Sequence, residues 1–121
     1  MDRYVIHDRI REVILVRPDL RHKGWQPDKK EEYLEFSKTL KMNPYLGFCY
    51  VATYAFCHLV KEASPYTIDR THFWAQIGDE IWDLTKEQFD KPYEYEKGRK
   101  LARKSKLTIR VKELLKEANL L

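Results

Sequence analysis

Three residues whose side chains suit acyl-transfer chemistry occur in the order Cys49, His72 and Asp83. A cysteine thiolate attacks carbonyl carbons, a neighbouring histidine removes the thiol proton, and a carboxylate holds that histidine in one tautomer. Cys49 comes two residues after Gly47, at the start of an apolar segment predicted to be helical. The positive end of a helix dipole stabilises a thiolate, and its free N–H groups can stabilise an oxyanion. This position therefore predicts a reactive cysteine.

His72 and Asp83 are predicted to lie on neighbouring strands of a β-hairpin. Residues 71–77 and 80–84 are rich in aromatic and β-branched side chains, and Gly78-Asp79 between them is typical of a two-residue turn. Such a turn pairs Ile77 with Glu80, Gln76 with Ile81 and Trp74 with Asp83.

In this register His72, Trp74 and Asp83 project from one face of the hairpin, because side chains alternate along a strand. Asp83 is then diagonal to His72, at roughly 7 Å between backbones, which a carboxylate can span to orient an imidazole. Trp74 fits two interpretations, a wall of the site or a core residue.

The other elements are predicted from apolar periodicity and breaker residues. Residues 3–16 have the spacing of a helix, residues 17–28 that of an irregular loop, and Asp28 begins a short second helix with Tyr33, Phe36 and Leu40 on one face. The segment 47–60 is predicted to be a buried central helix that Ser64-Pro65 ends, and Val111, Leu114, Leu115 and Ala118 mark a closing amphipathic helix. Helices followed by a small antiparallel sheet indicate an α+β fold.

The segment from Thr85 to Gln88 has the spacing of a helix-capping box. Gln88 is accordingly interpreted as the capping partner of Thr85. A direct substrate contact by Gln88 is the alternative, and the capping interpretation is preferred.

The remaining cysteine and histidine residues of the apolar helix, Cys57 and His58, are expected to be packing residues. Cys49 and Cys57 are two helical turns apart, so a disulfide between them is not expected. A zinc site made from these residues and His72 lacks the short ligand spacings of structural zinc centres. The sequence predicts neither a metal nor another cofactor.

The chain of 121 residues is predicted to form one domain, 1–121. It contains no apolar run of about 20 residues and no apolar secretory core near its start, which predicts a cytoplasmic protein without a membrane partner. Residues 97–112 hold eight basic residues and no acidic one, within a net charge of +4. This asymmetry permits nucleic-acid binding, although such a run is more often a solvated face.

Three segments carry a resemblance to a known family. They are Gly47-Phe48-Cys49-Tyr50-Val51-Ala52-Thr53, Thr71-His72-Phe73-Trp74, and Trp82-Asp83-Leu84-Thr85-Lys86-Glu87-Gln88-Phe89, with further similarity at Arg17-Pro18-Asp19-Leu20 and Tyr95-Glu96-Lys97-Gly98-Arg99. Together they resemble the YunG-like proteins of bacteria and phages, which are similar in layout to the papain-like and NlpC-type cysteine hydrolases.

The resemblance implies a minimal papain-like fold, with the Cys-bearing helix packed on a small antiparallel sheet and Cys49, His72 and Asp83 as the triad. It also makes Asn43 an oxyanion-binding candidate, because papain has a glutamine at the corresponding place six residues before its cysteine. The resulting hypothesis is a hydrolase or acyl-transferase that acts on an amide or related acyl bond of a protein, peptide or amide substrate. The alternative is a papain-like binding module for a protein or for nucleic acid.

Overall fold

The computed structural model describes residues 1–21, 44–89, 91–102 and 107–121. Within these residues the chain has an α+β fold with three α-helices and one antiparallel sheet of four strands, as predicted. The helices are α1 (Arg3–Val16), α2 (Cys49–Leu59) and α3 (Ile109–Glu117), and the strands are β1 (Ser64–Ile68), β2 (His72–Ile77), β3 (Glu80–Trp82) and β4 (Arg99–Lys100), in the sheet order β3-β2-β1-β4.

Helix α2 is the centre of the fold, as its apolar sequence predicts. It packs on β2 and on both other helices. Its first nine residues include Cys49, Val51, Ala52, Thr53, Tyr54, Ala55, Phe56 and Cys57, all of which are buried. A helix that is apolar on nearly every side is stable only when other elements cover it, so sheet and helices together enclose α2.

The predicted bounds of α1 and α3 are confirmed to within a few residues. Asp2 caps α1, because its carboxylate accepts hydrogen bonds from the backbone N–H of Tyr4 at 2.6 Å and of Val5 at 3.3 Å. Thr108 caps α3 in the same manner through Val111. The buried residues of α3 are Val111, Leu114 and Leu115, which are the positions selected by its helical spacing.

Strand β1 is an element that the sequence prediction missed. Ser64-Pro65 was expected to end α2, but α2 ends at Leu59 and β1 begins at Ser64. The strand pairs with β2 on one side and with β4 on the other, even though proline lacks an N–H for the ladder. The Pro65 carbonyl still accepts a hydrogen bond from the N–H of Leu101 at 2.9 Å. The pairing of β1 with β2 extends from Ser64 to Ile68.

The predicted hairpin register is confirmed where the strands pair. Ile77 lies opposite Glu80 and Gln76 opposite Ile81, with Gly78 at φ 61° in the turn. The strands are shorter than predicted. Their last pair is Ala75 with Trp82, so the predicted pair of Trp74 with Asp83 does not form. Asp83 therefore lies one residue beyond β3 and not within the strand.

Two further sequence predictions concern the N-terminal half. Residues 18–20 form a short 3-10 helix where a loop was predicted, and the bidentate pair of Arg17 with Asp19 stabilises this corner. Arg17 also bonds Glu117 at 3.1 Å, which joins the end of α1 to α3. The predicted helix with Tyr33, Phe36 and Leu40 lies outside the described residues.

No helix in the described ranges is both long enough and apolar enough to cross a membrane.

Candidate active site

His72 and Asp83 form a buried hydrogen-bonded pair. The distance between His72 Nε2 and Asp83 Oδ2 is 2.7 Å, and each side chain is only 2% exposed. An ionised carboxylate can only accept, so the shared proton belongs to His72 Nε2. In the neutral imidazole, His72 Nδ1 on the opposite side of the ring is then a lone-pair acceptor, which is the state a general base requires.

The Asp83 carboxylate has a donor for each of its oxygens. Tyr95 donates its hydroxyl to Oδ2 at 2.7 Å, and the Thr85 backbone N–H donates to Oδ1 at 3.1 Å. The Thr85 hydroxyl adds a longer contact to Oδ1 at 3.4 Å. Burial and the neighbouring Asp83 carboxylate raise the pKa of Tyr95, so this phenol remains a donor. These bonds compensate for burying a carboxylate and fix its orientation.

Gln88 closes the same hydrogen-bond network over His72. Its amide nitrogen is 2.8 Å from His72 Nδ1 and 3.2 Å from Thr85 Oγ1. The assignment of nitrogen to this side follows from chemistry, because His72 Nδ1 has a lone pair and the Thr85 hydroxyl points its hydrogen at Asp83. Both amide hydrogens of Gln88 thus have acceptors.

The capping-box prediction for Thr85 and Gln88 was wrong. Residues Lys86–Gln88 form a single turn of 3-10 helix, and the Thr85 side chain makes no capping hydrogen bond to it. The reason is that Thr85 is buried and turned towards Asp83, while Gln88 has the stronger acceptor His72 within reach. Gln88 keeps a side-chain bond to Thr85, but its shorter bond is to the tertiary partner His72.

Cys49 is the first residue of α2, as predicted, and lies against the start of β2. Its pKa is raised from an ordinary 9.0 to about 11, because burial disfavours the thiolate and the Asp83 carboxylate adds repulsion. The backbone N–H groups of Phe73, Tyr50 and Cys49 act in the opposite direction but are outweighed. The predicted lowering by the helix dipole is therefore reversed, and the resting residue is a thiol.

Aromatic rings enclose His72 on several sides. The Trp74 ring is fully buried and stacks on the imidazole, with 5.8 Å between ring centroids, so it is both a buried residue and a wall of the His72 environment. Phe89 and Tyr93 meet His72 edge-on at 4.6 and 4.8 Å. Gly98 leaves room for Trp74, since a Cβ there would lie 2.3 Å from two ring atoms.

Phe89 and Tyr93 extend from His72 to the surface. With Tyr95, Pro92, Lys86 and Lys91 they line a surface pocket, of which the buried His72 is not itself a lining residue. Burial raises the pKa of the Tyr93 phenol, a hydrogen bond with the Thr71 side chain opposes this, and the negative charges of Asp83 and Asp69 add to the increase.

Arg21 is a residue that the sequence analysis missed. Its guanidinium is buried and donates to the carbonyl oxygens of Leu46 at 2.8 Å, Pro44 at 2.7 Å and Pro18 at 3.0 Å. It also lies 4.9 Å from the centre of the Phe48 ring. Arg21 thereby holds the turn that leads into Cys49. An isolated arginine in a polar loop carries no local signal of this role.

We expect Arg21→Met to lower the free energy of unfolding by at least about 2 kcal/mol, because buried carbonyls lose charge-assisted donors. The variant should also expose Cys49 to alkylation by loosening the turn before it. Urea unfolding and iodoacetamide labelling measure the two effects. Arg70→Met, at an exposed turn, is the matched control; equal behaviour of the two variants would show that Arg21 does not position Cys49.

Three further residues were singled out from the sequence, namely Asn43, Cys57 and His58. Asn43 lies outside the described residues, so its predicted oxyanion role is untested. Cys57 is buried in α2, as expected of a packing residue, and His58 is half-buried. Cys49 and Cys57 are not joined in a disulfide. Within the described residues, no group of three or more His, Cys, Asp or Glu side chains is arranged to hold a metal ion.

Comparison of the chain with protein-family models, curated proteins and solved structures found no match.

Proposed function

We propose that the protein is a cysteine-dependent hydrolase or acyl-transferase that acts on an amide or related acyl bond. The observation that carries the proposal is the buried His72–Asp83 pair at 2.7 Å, with Cys49 at a helix start, bonded to the Phe73 backbone and close enough for the Asp83 charge to act on its thiol. A pair that only stabilised the fold would be expensive to bury and replaceable by apolar residues. Here its orientation leaves His72 Nδ1 as a base on the side where Gln88 is bound.

The reaction uses each residue in one role. The Cys49 thiol passes its proton to His72 Nδ1, and the sulfur attacks the acyl carbon. The imidazolium, stabilised by Asp83, returns a proton to the leaving group as the carbon–leaving-group bond breaks. Water or an amine then attacks the thioester and restores the thiol. Gln88 must leave Nδ1 before the first step, because one lone pair cannot serve both partners.

Acylation of Cys49 by p-nitrophenyl acetate tests the proposal. The experiment uses the Cys57→Ala protein, in which Cys49 is the only thiol. We expect peptide mapping to find an acetyl thioester on Cys49, formed about 100-fold or more slowly in His72→Ala, since general-base assistance contributes at least this factor. His7→Ala, on α1 and outside the site, is the control. An acylation rate that is the same in His72→Ala as in the parent protein would refute the proposal.

The alternative of a binding module draws on the basic residues of the C-terminal region. Arg99 and Lys100 are exposed on the edge strand β4, whereas Lys97 pairs with Glu94 at 2.6 Å. Arg103, Lys104 and Lys106 lie outside the described residues. A binder should tolerate Cys49→Ser without loss of its function, and the enzyme should not.

A further inference from the structure

The Lys86–Gln88 turn, which carries Gln88 to His72, has little hold on the core of the fold. Lys86 and Glu87 are exposed and Gln88 is half-buried, so none of its three residues is buried. Two backbone hydrogen bonds of 3.1 and 3.2 Å close this single turn of 3-10 helix. Hydrogen bonds of this kind have poor geometry and add little stability. The position of the turn therefore depends on the contacts of its side chains.

Arg11 of α1 makes such a contact. Its Nη2 donates a hydrogen bond to Glu87 Oε2 and another, at 2.9 Å, to the hydroxyl of Tyr45. Glu87 is the residue before Gln88, and Tyr45 is in the turn that leads into Cys49. One guanidinium thus joins α1 to the two segments that carry the thiol and the amide. The Arg11 and Glu87 side chains are 21% and 36% exposed, so solvent screens their attraction only in part.

The contact of Gln88 with His72 blocks the proposed chemistry. The Gln88 amide donates to the lone pair of His72 Nδ1 at 2.8 Å, and the Cys49 proton needs that same lone pair. Only molecules in which Gln88 has left Nδ1 can take the first step, so the rate follows their fraction. A contact that holds Gln88 in place lowers this fraction, because it stabilises the blocked state and not the open one.

We propose that the Arg11–Glu87 ion pair is a latch that holds Gln88 on His72 in the resting protein. Arg11 is then a positioning residue, which restrains the base through Glu87 and Gln88 without touching it. When the pair separates, the exposed turn loses its tether to α1 and Gln88 leaves Nδ1 more often. This inference rests on the proposed cysteine chemistry and adds how the base of that site is controlled.

Acetylation of Cys49 by p-nitrophenyl acetate measures the latch, in the protein that lacks the second thiol. We expect Glu87→Ala to raise the rate about 2- to 5-fold, the factor for losing a partly exposed ion pair, and Arg11→Met to raise it as well. The two substitutions remove charges of opposite sign, so a change of electrostatic potential at His72 cannot accelerate both.

The matched control is Glu117→Ala, which breaks the exposed ion pair of Glu117 with Arg17 at the other end of α1. Its acetylation rate should equal that of the parent protein. If Arg11→Met folds poorly because it also loses the bond to Tyr45, Glu87→Ala leaves that bond in place and still decides the question.

A double-mutant cycle with Gln88→Ala tests whether the latch acts through Gln88. Without the amide the base is already open, so Gln88→Ala should be at least as fast as Glu87→Ala. Adding Glu87→Ala to it should then have no further effect, since both changes remove one and the same restraint. Hydrogen exchange of the Gln88 side-chain amide, followed by NMR, gives a readout without catalysis and should be faster in Glu87→Ala than in Glu117→Ala.

The outcomes separate the two levels of the argument. Unchanged acetylation in Glu87→Ala, an effect of Glu87→Ala that persists in Gln88→Ala, or unchanged exchange of the Gln88 amide would each overturn the latch. The cysteine chemistry would stand if acetylation still depended on His72. If Cys49 is acetylated in none of the proteins, the cysteine chemistry falls, and the Gln88 amide exchange alone decides whether the ion pair holds Gln88.

Discussion

Asp83→Asn is expected to reduce Cys49-dependent acyl transfer by about 10³- to 10⁴-fold, the scale on which a triad fails when its histidine takes the wrong tautomer. An amide has one acceptor where the carboxylate has two. If its NH₂ replaces Oδ2 it faces the donors of His72 and Tyr95, and if it replaces Oδ1 it faces the N–H and the hydroxyl of Thr85. Either orientation opposes two donors.

The Asp83→Asn substitution also disturbs the tautomer of His72. To accept from an asparagine NH₂, His72 must carry its proton on Nδ1, and that proton would oppose the amide nitrogen of Gln88. We therefore expect the free energy of unfolding to fall as well, by about 1–3 kcal/mol for an unsatisfied buried polar group. Steady-state acyl transfer and urea unfolding measure the two effects.

The matched control is Asp79→Asn, an exposed carboxylate in the hairpin turn. It should leave both quantities within error of wild type. Activity of Asp83→Asn within about 10-fold of wild type would mean that Asp83 is a structural partner of His72 and not its orienter.

Cys49 of the resting protein is expected to be slow towards iodoacetamide at neutral pH. With its pKa raised by burial to about 11, the thiolate fraction at pH 7 is about 100-fold below that of a thiol with a pKa of 9.0. The alkylation rate should keep rising with pH beyond 9, because a raised pKa moves thiolate formation to higher pH. Labelling of the Cys57→Ala protein, followed by intact mass, measures this profile.

Urea-unfolded protein is the internal reference, since the same thiol should then react as an ordinary cysteine. The expected difference between folded and unfolded protein disappears above the folded-state pKa. A plateau below pH 8 at the rate of a free thiolate, abolished by His72→Ala, would contradict the expectation. It would show that a thiolate–imidazolium pair already exists before substrate binds and that Gln88 does not hold His72 in the resting state.

Local patterns in the sequence determined the three helices, the hairpin of β2 and β3, and the pairing of His72 with Asp83, but not β1 or β4. Apolar spacing fixes α1, α2 and α3 because each helix must bury one face or, for α2, nearly every face. The two-residue turn at Gly78 fixes the hairpin register, and register alone brings His72 and Asp83 within reach of each other. These are short-range rules, and they needed no knowledge of distant contacts.

Only the tertiary structure decided the protonation of Cys49 and the partner of Gln88. A helix start favours a thiolate, but the sheet and helices that cover α2 also bury its first residue, and desolvation outweighs the dipole. Gln88 forgoes the cap that its spacing predicts because its amide reaches His72, which the fold brings to it from the hairpin, and bonds the Thr85 side chain instead of the Thr85 backbone. Arg21 is recognisable only once the turn before Cys49 is placed around its guanidinium. Such effects depend on what the rest of the chain places around a group, which no local pattern encodes.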